Sequence, residues 1–328
     1  MRYVVFGAGA IGGGIGGRLA QHGHDVTLIA RGKHRDAIRD LGLRVADPEG
    51  DERVAVPVVE HPGEVELIDG DVVIIAVKSQ DTDVALRDLA AVAPPSISVA
   101  CAQNGVENER LAARRFEFVY GVLVVMPATH LEPGEVLIHT HPISGILDVG
   151  RYPSGSDKRA EQIVADLSAS TFSSFVDPRI MRAKYGKLLL NLGNAIEALT
   201  GERSFGVGQL YERARTEAEA CYAAAGIDAG TAEDDRARRG ELMHLRPAGG
   251  RTRSKGSSWQ SLARGKGSIE VDHLNGEISL LGRLHGVATP VNAALQRIAN
   301  RAAREGVEAG SMSIADLTAA VDRLVLSP

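Results

Sequence analysis

Short, mostly apolar runs alternate with helix-period segments through the first half of the chain, whereas the second half is helix-period throughout. Residues 3–6, 25–30, 71–77, 97–102 and 119–126 have strand length, and their near-continuous apolar character suits parallel strands covered on both faces. Residues 41–57 read as two short strands around the polar turn Asp47-Pro-Glu-Gly-Asp51, placed beside that sheet. Residues 135–139 and 145–149 read as strands completing the sheet, with Pro127, Pro133-Gly134 and Pro142 as punctuation. A helix over 158–168 and a last strand over 172–176 lead to Asp177-Pro178. Beyond it the pattern predicts helices over 179–198, 208–225, 231–243, 269–285 and 291–304, interrupted by a basic, Gly-rich mobile loop at 247–257. The prediction is an α/β doubly wound sheet over residues 1–177 followed by an all-α domain over 178–328. A length of 328 residues suits two such domains.

The first apolar run ends in Gly7-Ala8-Gly9-Ala10-Ile11-Gly12 and passes directly into a helical segment. Strand, glycine turn and helix in that order form the dinucleotide-binding, Rossmann-type fingerprint. Gly7 permits the tight turn, Gly9 lets the backbone approach a pyrophosphate, and Gly12 lets helix and strand pack closely. The phosphates then lie on a helix N-terminus, beside the first-turn N–H groups of Ala10 and Ile11. At the end of the second strand, where an acidic residue would bind the ribose 2′-hydroxyl of NAD, the chain carries Arg31, Lys33, His34 and Arg35. A cationic cluster there suits a 2′-phosphate, so the expected cofactor is NADP(H).

Composition narrows the class further. A formal charge of −5 offers no general field for nucleic acid or an anionic membrane, and two cysteines make no disulfide framework. No apolar run approaches the ~20 residues that span a bilayer. A soluble cytoplasmic protein is expected. His130, His139 and His141 crowd one region but lack metal-ligand spacing, so no metal is expected.

Lys78 and Asn104 stand just beyond the carboxyl ends of two predicted strands, where ligands bind in open α/β sheets. In the helix predicted over 179–198, Lys187, Asn191 and Asn194 stand within roughly 60° of one another at ~100° per residue. A polar stripe on a buried helix requires a partner.

The glycine turn with Arg31, Val77-Lys78-x-x-x-Thr82, Gln103-Asn104-Gly105, Lys187-x-x-x-Asn191, Ser257-Ser258-Trp259-Gln260-Ser261 and Ile269-Glu270-Val-Asp272-His-Leu-Asn275-Gly276 together resemble the ketopantoate reductase family. These segments occur in the family's order over nearly the whole chain. The resemblance implies NADPH-dependent reduction of a small 2-oxo acid, with 2-dehydropantoate to pantoate, a step of pantothenate synthesis, as the leading reaction. It implies that Lys187 is the proton donor and that Glu270 positions the substrate hydroxyl and the lysine. It places Lys78 and Asn104 near the nicotinamide ribose, with Asn104 also at the substrate, and Asn191 and Ser258 on the substrate. The family usually has a second asparagine two helical turns after the lysine. Here Ala195 stands there and Asn194 precedes it. A family relative reducing another oxo acid or ketone, or an inactive NADP(H)-binding sensor, is the competing expectation. The apolar positions within 274–284 suit a homodimer.

Overall fold

The computed structural model describes residues 1–202, 208–253, 255–265 and 267–326. Its strands are β1 Arg2–Phe6, β2 Asp25–Ile29, β3 Leu43–Ala46, β4 Asp51–Val54, β5 Val58–Val59, β6 Val72–Ile75, β7 Ser98–Cys101, β8 Phe118–Val125, β9 Ala128–Thr129, β10 Glu135–Ile138, β11 Thr140–Pro142, β12 Gly145–Arg151, β13 Phe172–Ser173 and β14 Met243–Leu245. The α-helices of the first half are α1 Ala10–Gln21, α2 Gly32–Leu41, α3 Thr82–Ala90, α4 Asn108–Ala113 and α5 Lys158–Ala169. Then follow α6 Ile180–Asn191, α7 Asn194–Thr200, α8 Gln209–Ala225, α9 Ala232–Arg239, α10 Ser257–Ala263, α11 Asn275–His285, α12 Pro290–Glu305 and α13 Ile314–Leu326.

The main sheet runs β13-β12-β8-β7-β6-β1-β2-β5, parallel except where β12 meets β8. Strand order reverses beside β1, so the crevice outside the carboxyl ends of β1 and β6 is a topological switch point. Alternation along β1 divides the core. Tyr3 and Val5 pack with Ile15 and Leu19 of α1, while Val4 and Phe6 pack with Leu86 and Leu89 of α3 on the other face.

The hairpin β3–β4 forms as predicted, outside the main sheet. With β10 and β9 it makes a second sheet, β4-β3-β10-β9, in which β10 runs parallel to β3. The strand expected at 135–139 to complete the main sheet therefore belongs elsewhere. The chain turns at Pro127, whose carbonyl accepts the N–H of His139 at 2.8 Å, and Glu135 pairs with Arg44 of β3. Helix α1 packs against strands of both sheets, and its glycines permit this. A Cβ on Gly16 would lie 2.6 Å from Leu28 on one side, and one on Gly17 2.6 Å from Val45 on the other.

The chain divides into two compact units, residues 1–184 with 233–253, and residues 185–232 with 254–328. The units divide a few residues after the expected boundary at Asp177, and residues 233–253, with one short strand in the otherwise helical second half, group with the first. Strand β14 pairs antiparallel with β11, Arg238 grips Asp148 at 2.6 and 2.7 Å, and Arg251 reaches Glu135 at 2.8 Å. A three-residue strand carries too little pattern to be read locally, because its partner lies about a hundred residues away. The stretch predicted as a mobile loop is held at Ala248 and Arg251 by two backbone hydrogen bonds, and its residue 254 lies outside the described residues. The second unit is built from helices. Among the described residues none is long and apolar enough to cross a membrane.

Candidate active site

In the first unit the glycine turn follows β1 directly. Gly7 has φ +103°, and a Cβ there would lie 2.8 Å from the Val77 nitrogen. A Cβ on Gly12 would lie 2.1 Å from the Gly7 carbonyl oxygen, so close packing is obligatory at that point. Gly9 differs, since a Cβ there would meet nothing within 4 Å. It caps α1 without a side-chain partner, and the first turn, beginning with Ala10 and Ile11, contains no acidic residue. The open space at Gly9 lies at an N-terminus with unsatisfied donors, which fits the pyrophosphate of a dinucleotide.

The cationic cluster after β2 is smaller than its sequence suggests. Gly134 N–H donates to His34 Nδ1 at 2.8 Å, so His34 carries its proton on Nε2 and donates it to the Ala8 carbonyl at 2.7 Å. The ring is neutral and ties the glycine turn to the second sheet. Arg35 pairs with Asp36 and Glu60. Arg31 is 60% exposed with Asp88 at 3.8 Å, and Lys33 is exposed, so these two remain for a phosphate.

Lys78 follows β6 and caps the short turn Ser79–Asp81, and Asn104 follows β7. Both are partly buried, at the carboxyl edge of the main sheet. A buried network fixes their backbones. Gln103 Nε2 donates to the Val77 carbonyl at 2.8 Å and to Thr82 Oγ1 at 2.7 Å, and Thr82 donates to Asn108 Oδ1 at 2.8 Å. Asn108 Nδ2 donates to the Asn104 carbonyl at 2.9 Å. Beneath this network Lys184 and Glu109 form an ion pair at 2.7 Å, both essentially without solvent exposure. Burial pushes the Glu109 carboxyl above the usual range, and the Lys184 ammonium works against that rise.

The second unit carries the remaining predicted site residues. Helix α6 ends at Asn191, and Leu192 N–H bonds to the Leu189 carbonyl, closing a tighter turn before Gly193 starts α7. The single helix expected over 179–198 is therefore two. Angles counted from Lys187 do not extend to Asn194 or Ala195, and Gly193 was the local sign of the break. Asn191 and Asn194 are 4% and 3% exposed, and neither side-chain oxygen has a hydrogen-bond donor. Lys187 is partly buried.

Ser258 lies on α10 and Glu270 opens a short 3-10 turn, both buried. Two ties bring their elements to the α6–α7 break. Glu197 of α7 accepts the Gly256 N–H at 3.2 Å, just before α10. Asn275, five residues after Glu270, donates to the Leu192 carbonyl at 3.3 Å and to Asn292 Oδ1 at 3.0 Å. Arg264, which the sequence reading passed over, lies within electrostatic reach of Glu270. Burial lowers its pKa and the carboxylate opposes the change. The three histidines of the 130–141 region are engaged separately, by the Glu135 carbonyl, by Thr129 and by Glu49. Among the described residues no three or more His, Cys, Asp or Glu side chains gather as metal ligands.

Comparison with known proteins matches both halves of the chain. Residues 3–154 match the profile of ketopantoate reductase PanE/ApbA, and residues 179–303 match that of its C-terminal part. A 2-dehydropantoate 2-reductase of Halobacterium salinarum is 32% identical over 324 residues, covering 93% of this chain and 100% of the relative. A solved PanE/ApbA family ketopantoate reductase from Ralstonia eutropha JMP134 superposes with a TM-score of 0.78 at 31% identity, covering 93% of this chain and 99% of that one. A D-mandelate dehydrogenase solved with NADH and anilino(oxo)acetate shares the fold at 22% identity and a TM-score of 0.77, covering 93% and 99%. Together these matches make the chain a member of the ketopantoate reductase PanE/ApbA family of oxidoreductases.

Proposed function

We propose that this protein reduces the ketone of a small 2-oxo acid with NADPH, 2-dehydropantoate to pantoate being the first reaction to try. The observation carrying the reading is the pair of buried side-chain oxygens on Asn191 and Asn194 that lack donors. An unsatisfied buried oxygen costs roughly 1–3 kcal/mol. A hydroxylated substrate supplies the missing donor, and the amide N–H groups are suited to a carboxylate.

Gly7, Gly9, Ala10, Ile11 and Gly12 would hold the phosphates of the dinucleotide, with Arg31 and Lys33 on the 2′-phosphate. Lys78 and Asn104 would attend the nicotinamide ribose, Asn104 also reaching the substrate. Bound NADPH supplies a hydride to the C2 carbonyl carbon. The Lys187 ammonium stabilises the negative charge developing on the C2 oxygen and then donates its proton there, giving the alcohol. Asn191, Asn194 and Ser258 orient the oxo acid, while Glu270 positions the substrate hydroxyl and the lysine. A homodimer belongs to the same reading, since Leu280 and Leu284 of α11 are exposed. Sedimentation measures it.

Ala195, where the family usually has asparagine, favours a second reading in which the substrate is another oxo acid or ketone. The fold alone does not choose, because an NADH-bound mandelate dehydrogenase shares it. The test is oxidation of NADPH and of NADH with 2-dehydropantoate beside a panel of aliphatic and aromatic 2-oxo acids. Turnover of the panel without 2-dehydropantoate selects the second reading. Tight NADPH binding with no turnover of any carbonyl makes the protein a sensor.

A further inference from the structure

The buried pair Glu109–Lys184 is not among the residues to which the proposed reaction gives a role. Lys184 Nζ lies 2.7 Å from Glu109 Oε1, 2.8 Å from the Gln103 carbonyl and 3.3 Å from the Val122 carbonyl. The ammonium thus lies against three oxygens, the Glu109 carboxylate as its counter-charge and the other two as hydrogen-bond acceptors. Two are main-chain oxygens, one on the residue before Asn104 and one on β8, the strand next to β7. The same Gln103 sends its side chain to the Val77 carbonyl, on the residue before Lys78. One residue is thus gripped at its carbonyl by the lysine while its amide grips the neighbouring loop.

Nothing about stability demands a charge here. A well-packed apolar pair of the same volume is often as stable or more so. What a methionine lacks is a donor for the Gln103 carbonyl, which then turns or takes another partner and carries Asn104 with it.

We propose that Lys184, paired with Glu109, is a positioning residue that sets the main chain of the Gln103-Asn104 loop and, through the Gln103 side chain, that of the Val77-Lys78 loop. Its effect falls on cofactor binding rather than on proton donation. The inference rests on the reading of Asn104 and Lys78 as cofactor-side groups.

The test is the double variant Glu109→Gln/Lys184→Met, which removes both charges together. Thermal unfolding, NADPH dissociation constant, kcat and KM for the oxo acid, and amide hydrogen exchange over residues 103–108 are measured on variant and wild type. The expected result is a folded protein with NADPH affinity about tenfold weaker, the worth of about one hydrogen bond, and faster exchange across 103–108. The KM for the oxo acid should change less than the NADPH constant. A folded double variant with wild-type affinity and wild-type exchange overturns the proposal. If the double variant does not fold, the single Glu109→Gln decides. It keeps the lysine as donor, so a smaller change in the same direction supports the positioning role and no change in either readout overturns it. Failure of the wild type to bind NADPH is a separate outcome. It removes the cofactor reading, while exchange over 103–108 still reports whether the pair holds the loop.

Discussion

The glycine turn after β1 and the polar group around the α6–α7 break are built in opposite ways. The turn is made by six consecutive residues, and its function lies in backbone and absent side chains. Gly12 must approach Gly7, and a Cβ on Gly9 would enter open space. The polar group draws on four elements between residues 187 and 270 and lies in side chains whose backbones are ordinary helix or turn. The contrast teaches that the first site should break with its local packing, whereas the second should lose chemistry while the fold survives.

The largest expected effect belongs to the second site. Lys187→Ala should lower turnover with the accepted oxo acid by about 10²–10⁴-fold, the range for loss of a proton donor, with unfolding temperature little changed. Retained turnover breaks the comparison at its functional end. Next come two substitutions in the turn. Gly12→Ala forces a Cβ against the Gly7 carbonyl and should cost roughly 1–3 kcal/mol of stability, read by denaturant unfolding. Gly9→Ala enters open space, so stability should hold while dinucleotide affinity falls, read by titration with NADPH. Equal loss of stability in both would deny that Gly9 leaves space for a ligand.

Arg31→Ser should weaken NADPH by roughly 10–100-fold, as for a charged hydrogen-bonding group, and leave NADH nearly unaffected. Parallel loss of both cofactors would assign Arg31 another role. The smallest effect sits where α1 meets the β3–β4 turn. Burial pushes the Asp47 carboxyl up, yet the Arg18 guanidinium and the N–H groups of Glu49 and Gly50 hold it below the usual carboxylate range. A lowered pKa in the folded state adds stability above the unfolded value and loses it as pH falls through the folded one. Asp47→Asn should therefore cost about 1 kcal/mol at neutral pH, after allowance for solvent screening. In acid the difference from wild type should shrink towards nothing, which urea unfolding at a series of pH values measures.

Legibility followed the same division. The turn, the parallel strands themselves and the placement of Lys78 and Asn104 at strand ends are written in contiguous residues, because tight turns and doubly covered strands impose composition locally. Lys187 and Asn191 stand on one unbroken helix, as their spacing implies. Asn194 does not, because Gly193 lets the chain close a tighter turn and begin again. His34 reads as a cation by residue type and stands as a neutral ring only because Gly134 donates to it from a hundred residues away.

What the chain alone determined is therefore the nucleotide-binding half, the helical character of most of the rest, and the residue types of the candidate site. The surplus glycines of α1 were visible but not their meaning, which is a helix closely packed on two sheets. Only the tertiary structure decided that β10 leaves the main sheet, that residues 233–253 return to the first unit, and that Lys184 meets two carbonyls and a carboxylate in its interior. Each of these depends on partners far apart in sequence. A pairing between distant segments leaves no periodic trace in either one, since it is specified by shape and hydrogen-bond complementarity that exist only after the chain has closed on itself.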